Sequence, residues 1–336
     1  MSRPKLQPYP GLRSFERYES RIFFGRQQQV DELLVRLKQH HFLAVLGASG
    51  SGKSSLVKAG MLPGLEKDYM GEVGSRWCIA EMRPGDQPFV RLADTAFAER
   101  WGSIDPATLT AELRRGARSL HEVLQQSPLP QGAKLLVLVD QFEELFRFRE
   151  QQENQAAAFV ALLLEACQHR DVYIIITMRS DFLGAAAEFH GLPEAINNGL
   201  YLTPRLTREQ LHDAICLSAQ LFGGAVDDTL ANYLQNEAGN DPDQLPLLQH
   251  ALMRLWENDE DKHLTLEEYR GLNGLRGALD EHAEQAWNEL DASDQAIAET
   301  LFRALTERSH RAKDRPSAIR LKYTRCWRPH EPICLL

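Results

Sequence analysis

Residues 42–59 read FLAVLGASGSGKSSLVKA, and no other stretch constrains the fold as tightly. Phe42-Leu43-Ala44-Val45-Leu46 is apolar throughout, too short for a helix and suited to a strand buried on both faces. The loop that follows, Gly47-Ala48-Ser49-Gly50-Ser51-Gly52-Lys53-Ser54, satisfies GxxxxGK[ST] at every fixed position. Glycines are needed where phosphate oxygens approach the backbone, because a Cβ would obstruct them. Successive N–H groups and the start of the next helix then cradle the anion. Lys53 supplies a mobile positive charge to the β- and γ-phosphates, the Ser54 hydroxyl is a Mg²⁺ ligand, and Ser49 within the loop and Ser55 directly after it are further expected nucleotide contacts. The competing reading is a flexible Gly/Ser linker. A strand pattern before the loop and the helical Leu56-Val57-Lys58-Ala59 after it favour the phosphate site.

A sheet must surround such a loop, and the sequence supplies it. Leu135–Val139 and Val172–Ile176 are two more apolar runs, and Trp77–Ala80 is a weaker one. Helical patterns lie between and before them: Val30, Leu33, Leu34 and Leu37 at i, i+3, i+4, i+7, then residues 107–126 and 154–169. Strands alternating with helices predict a parallel α/β sheet covered on both faces. After Thr203 the strand signal stops. Thr207-Arg208-Glu209-Gln210 is a capping box, and helices are expected over 208–222, 226–237, 246–256 and 279–290, punctuated at Gly239–Pro242 and Gly271–Gly277. The expected organisation is an extended N-terminal arm (1–20), a nucleotide-binding α/β domain (21–204), an all-helical lid (205–290), a further helical start (291–307) and a basic tail (308–336).

Strand ends carry the candidate chemistry. Asp140 follows Leu135–Val139, where a carboxylate can hold Mg²⁺ through its water shell. Glu143 and Glu144 follow within one turn, and one of them is expected to polarise an attacking water; which one is open. The competing reading is a solvated, acidic helix start. Arg179 ends the strand Ile174-Ile175-Ile176-Thr177-Met178, on the edge where open α/β sheets bind ligands, and is expected to report on the γ-phosphate. Its competing reading is a surface arginine paired with Asp181.

These residues resemble the STAND class of signalling P-loop NTPases, relatives of the AAA+ proteins, and more closely the novel STAND NTPase 1 family, often found beside WD-repeat arrays in bacteria. The resemblance runs over about residues 8–305 and rests on Pro10-Gly11-Leu12-Arg13-Ser14-Phe15 leading to Phe23-Phe24-Gly25-Arg26, on GASGSGKSS, on DQFEELF and on IIITMRSDF. It implies that Gly25 and Arg26 form an adenine-side clasp and that Pro246 is the lid's contact with the nucleotide, although Gln27 stands where such clasps often carry an acid. It implies ATP or ADP with Mg²⁺ as ligands, slow hydrolysis, closure of the helical module on ADP, and self-association on ATP. Leu301–Glu307 looks like the start of the family's winged-helix module. The readings outside the switch are an AAA-like ATPase that remodels or loads a partner, and a nucleotide-binding remnant without turnover.

Composition bounds the remainder. The 336 residues carry a net charge of -9, which argues against a general nucleic-acid binder. From Arg308 onward eight basic residues face only Asp314 and Glu331, and we expect a solvated cationic tail there. Cys326, His330 and Cys334 are too few for structural zinc. Three prolines break the pattern beyond Leu305, so the tail is expected to be a truncated or frame-shifted end, leaving no room for WD-repeat sensor or effector domains. Five scattered cysteines, no apolar leader and no run of roughly 20 apolar residues predict a cytoplasmic protein away from membranes.

Overall fold

The computed structural model describes residues 6–66, 76–96, 104–147, 149–238 and 244–306. Five strands, β1 (Phe42–Gly47), β2 (Arg76–Met82), β3 (Ala133–Val139), β4 (Val172–Arg179) and β5 (Leu200–Leu202), form one sheet in the order β2-β3-β4-β1-β5. Every pairing is parallel. Alternate residues of the central strands feed two cores. Ala44, Leu46, Val137, Ile174 and Ile176 pack with Phe159 and Leu163 of the helix Arg149–Ala166. Leu43, Val45, Leu136, Leu138 and Ile175 pack on the other face with Leu33 and Leu37 of Gln27–Gln39. Continuous apolar strands are what two covered faces require.

The register sets the site. Gly47 lies beside Arg179, and Val139 beside Ile176, so the carboxyl ends of β1, β3 and β4 meet on one edge. A third core, built on Leu211, Ile215, Leu234, Leu252 and Leu255, belongs to the helices that follow β5. The Thr207–Gln210 capping box is formed on both sides, so the chain turns into Arg208–Leu221 at the position its sequence marks.

Several expectations are revised. Residues 107–126 form two helices, Pro106–Leu113 and Ser119–Gln126, because the Ser119 hydroxyl donates to Leu113 O and Gly116 O and closes the first. The strand β5, Leu200-Tyr201-Leu202, is hydrophobic but only three residues long, too short to stand out in the sequence. The helical part also contains the two-residue strands β6 (Ala225–Val226) and β7 (His263–Leu264), which pair with each other, so the next helix is Asp228–Ala238. Thr265 and Glu268 form a second capping box that starts Leu266–Gly271, and Gly274–Glu289 begins inside the stretch read as punctuation. The tail, and with it Cys326, His330 and Cys334, lies outside the described residues.

The N-terminal segment is anchored at two points. Tyr9 is buried in the helical core and its hydroxyl donates to Ile215 O at 2.5 Å, while burial pushes the phenol pKa up and keeps it a donor. Phe15 is buried too, and its amide donates to Ser55 Oγ at 3.1 Å. The segment thus straps the helical part to the helix behind the glycine-rich loop. Tyr9→Phe deletes this buried hydrogen bond to Ile215 O, which costs about 1–2 kcal/mol. The expected result is an unfolding midpoint lowered by several degrees, measured by calorimetry, with no change in far-ultraviolet circular dichroism.

Candidate functional site

The loop after β1 is shaped by two glycines in the left-handed region, Gly50 at φ 67° and Gly52 at φ 85°. Lys53 folds back over it, its Nζ donating to Gly47 O (3.0 Å) and Ala48 O (2.6 Å). Those carbonyls hold the ammonium at the mouth of the anion cradle. Burial lowers the Lys53 pKa, with Glu143 opposing that shift.

Asp140 is fully buried. Its Oδ1 accepts from the Ser54 and Thr177 hydroxyls, both at 2.6 Å. Its Oδ2 has no hydrogen bond; Lys58 Nζ and Arg83 Nε each stand 3.6 Å away. A carboxylate touching a serine hydroxyl, with one lone oxygen, is a hard oxygen donor set and fits Mg²⁺, which keeps several waters and uses few protein ligands. Among the described residues there is no cluster of three His, Cys, Asp or Glu for a softer metal.

The two glutamates separate. Gln141 takes a positive φ of 55°, and Gln141 N and Phe142 N donate to Thr177 Oγ1 and Thr177 O, which fixes the turn after β3. Glu143 then faces the cleft, almost buried, accepting from Arg179 N at 3.4 Å; burial raises its pKa. Glu144 turns away and accepts from Gly85 N at 3.0 Å. Arg179 lines the cleft and also forms the competing pair: Nε donates to Asp181 Oδ1 at 3.1 Å, and a second guanidinium N–H donates to Oδ2 at 2.6 Å.

The cleft has a volume of about 280 Å³. Ser49, Gly50, Lys53 and Glu143 line its sheet side, Leu211, Ala214 and Pro246 its helical side, and the strap Gly11–Phe15 a third wall. Ser55 is at the cleft with its hydroxyl engaged by the strap. Gly47 and Ser51 line instead a smaller cavity of about 210 Å³ behind the loop. Gly25 has φ 80°, and a Cβ there would lie 2.1 Å from Gln210 O. Gly25→Ala therefore combines backbone strain with a collision against helix Arg208–Leu221. Its expected cost is above about 2 kcal/mol, read as a lower denaturant midpoint.

Sequence reasoning assigned no role to Thr177, Lys58 or the Arg83–Gly85 turn. Thr177 had a signal, a polar residue inside an apolar strand. Lys58 sits one turn beyond Ser54, buried against Glu81 (2.5 Å) and near Asp140. Burial lowers its pKa, but the Glu81 hydrogen bond and the charge of Asp140 raise it overall.

A parallel sheet carrying this loop, a hydroxyl-bound aspartate at the end of a neighbouring strand and a helical wall across the cleft define a nucleotide-binding P-loop NTPase. The protein-family model for Novel STAND NTPase 1 matches residues 8–326, and the chain belongs to that family. The match runs on beyond residue 305, where the resemblance had been read to stop. No curated protein matches the sequence. Among solved structures, the Aeropyrum pernix ORC1 protein in complex with DNA is 16% identical with a TM-score of 0.53, covering 83% of this chain and 72% of that one. The Aeropyrum pernix ORC2 protein, in ADPNP–ADP complexes, is 17% identical with a TM-score of 0.48 over 83% and 71%. At these identities the first likeness speaks to fold alone. No helix among the described residues is long and apolar enough to cross a membrane.

Proposed function

We propose that this ATPase is an ADP/ATP-controlled switch with slow, Mg²⁺-dependent hydrolysis. One observation carries the reading: the cleft has a sheet wall with Lys53, Glu143 and Arg179 and a helical wall with Leu211 and Pro246, so a single ligand within it would touch both. A ligand shifts a conformational equilibrium only through differential interaction with its two states. The γ-phosphate supplies that difference at Lys53, Ser54 and Arg179. Mg²⁺ would be held by Ser54 and Asp140, where it neutralises phosphate charge when bound. Glu143 orients and deprotonates the attacking water; Arg179 leaves Asp181 for the γ-phosphate. Residues 21–204 act as the nucleotide domain and 205–290 as the lid, and ATP-bound chains self-associate. Cys78, Cys167 and Cys216 are free, in keeping with a reducing cytoplasm.

The test is to identify nucleotide retained through purification and to measure turnover, with Lys53→Ala as control. Retained ADP and turnover well below about 1 s⁻¹ support the switch. Sustained faster turnover favours an ATPase that works continuously on a partner.

A further inference from the structure

We propose that Arg26 is a positioning residue for the phosphate end of the nucleotide, holding the Ser51–Gly52 peptide so that the Gly52 N–H faces the cleft. The inference rests on the reading of the cleft as a nucleotide site. Arg26 is 4% exposed. One guanidinium N–H donates to Pro204 O at 2.7 Å and another to Ser51 O at 3.2 Å. No carboxylate among the described residues lies within ion-pair distance of it. Burial lowers its pKa to about 10, so it stays charged at neutral pH. A buried charge without a counter-ion is costly, and this one spends its donors on two main-chain carbonyls.

The geometry of the peptide unit explains what those bonds achieve. In a planar trans peptide the C=O and the following N–H point in opposite directions. Ser51 lines the small rear cavity and Gly52 lines the cleft, so their shared peptide stands between the two spaces. Arg26 draws the carbonyl rearward, and the Gly52 N–H is thereby turned to the front. Glycine at position 52, at φ 85°, lets this peptide adopt either orientation. Arg26 selects the one that presents a donor to phosphate, and Pro204 O fixes the guanidinium in place. Arg26 itself borders both the cleft and the rear cavity, and the two bonds its guanidinium donates go to main-chain carbonyls.

The experiment is calorimetric titration of wild type, Arg26→Gln and Arg26→Lys with ATP and, separately, with inorganic tripolyphosphate, both with Mg²⁺. Arg26→Gln is expected to weaken both ligands by the same factor, about tenfold or more. Arg26→Lys keeps the charge but loses the planar fork, and is expected to remain at least several-fold weaker than wild type for both. Loss of ATP affinity with tripolyphosphate unchanged would overturn the proposal in favour of a base contact. Full recovery in Arg26→Lys would overturn it in favour of charge alone, and unaltered binding in both variants would remove any role. If Arg26→Gln does not fold, Arg26→Lys carries the same comparison; if neither folds, Arg26 is a structural strut and the proposal fails. Wild type that binds neither ligand contradicts the nucleotide site itself.

Discussion

Glu143→Gln is expected to lower ATP hydrolysis by about 10²–10⁴-fold while leaving ADP affinity within about twofold. The glutamine keeps the size of the side chain and its acceptor for Arg179 N, and removes only the group that takes a proton from water. Glu144→Gln provides the contrast. Glu144 faces Gly85 N rather than the cleft, so hydrolysis should change by less than about fivefold, while stability falls by about 0.5–1.5 kcal/mol through the weakened link. Equal losses in the two variants would contradict the assignment. The pH dependence follows from the same burial. A carboxyl whose pKa is raised stays protonated to higher pH, and a general base acts only when ionised. Hydrolysis should therefore fall as pH drops through that raised value, earlier than for a solvated glutamate. This acid limb should disappear from the residual rate of Glu143→Gln.

Lys53→Ala is expected to weaken ATP and ADP by more than about a hundredfold, since it deletes charge-assisted bonds each worth about 1.5–3 kcal/mol to the phosphates. Among the described residues the ammonium bonds only to Gly47 O and Ala48 O, so the unfolding midpoint measured without ligand should move little. Ligand-induced stabilisation reads the difference directly. Wild type should gain about 2.7 kcal/mol at a hundredfold excess of ligand over Kd, and Lys53→Ala should gain almost nothing at that concentration. A variant that still retains nucleotide through purification would show that the loop is not the phosphate cradle.

The sheet was legible because buried parallel strands leave unbroken apolar runs, and those of β1, β3 and β4 are each bounded by turns or charges. β5 at the sheet edge left no such mark, because Leu200-Tyr201-Leu202 is too short to be told from any chance hydrophobic triplet. β6 and β7 are two residues each and depend on a contact between segments far apart in sequence. Within the site, Lys53, Ser54 and Asp140 were readable because their spacing is local or set by a strand end. The choice between Glu143 and Glu144 was not, because it turns on the positive φ of Gln141 and on Thr177, which comes from another strand. The strap was unreadable for the same reason: Tyr9 bonds to a carbonyl 206 positions away. The resemblance gives Arg26 an adenine-side place, while its hydrogen bonds to Ser51 O and Pro204 O are marked by no sequence pattern.

In the proposed switch the γ-phosphate moves the helical part relative to the sheet. Distance distributions between spin labels at Ala158, exposed on Arg149–Ala166, and Asn232, exposed on Asp228–Ala238, test it most directly. With Mg²⁺, ADP and a non-hydrolysable ATP analogue should give different dominant distances, and Lys53→Ala should give one distribution with either. Identical distributions in wild type, under concentrations at which both nucleotides are shown to be bound, would contradict the switch.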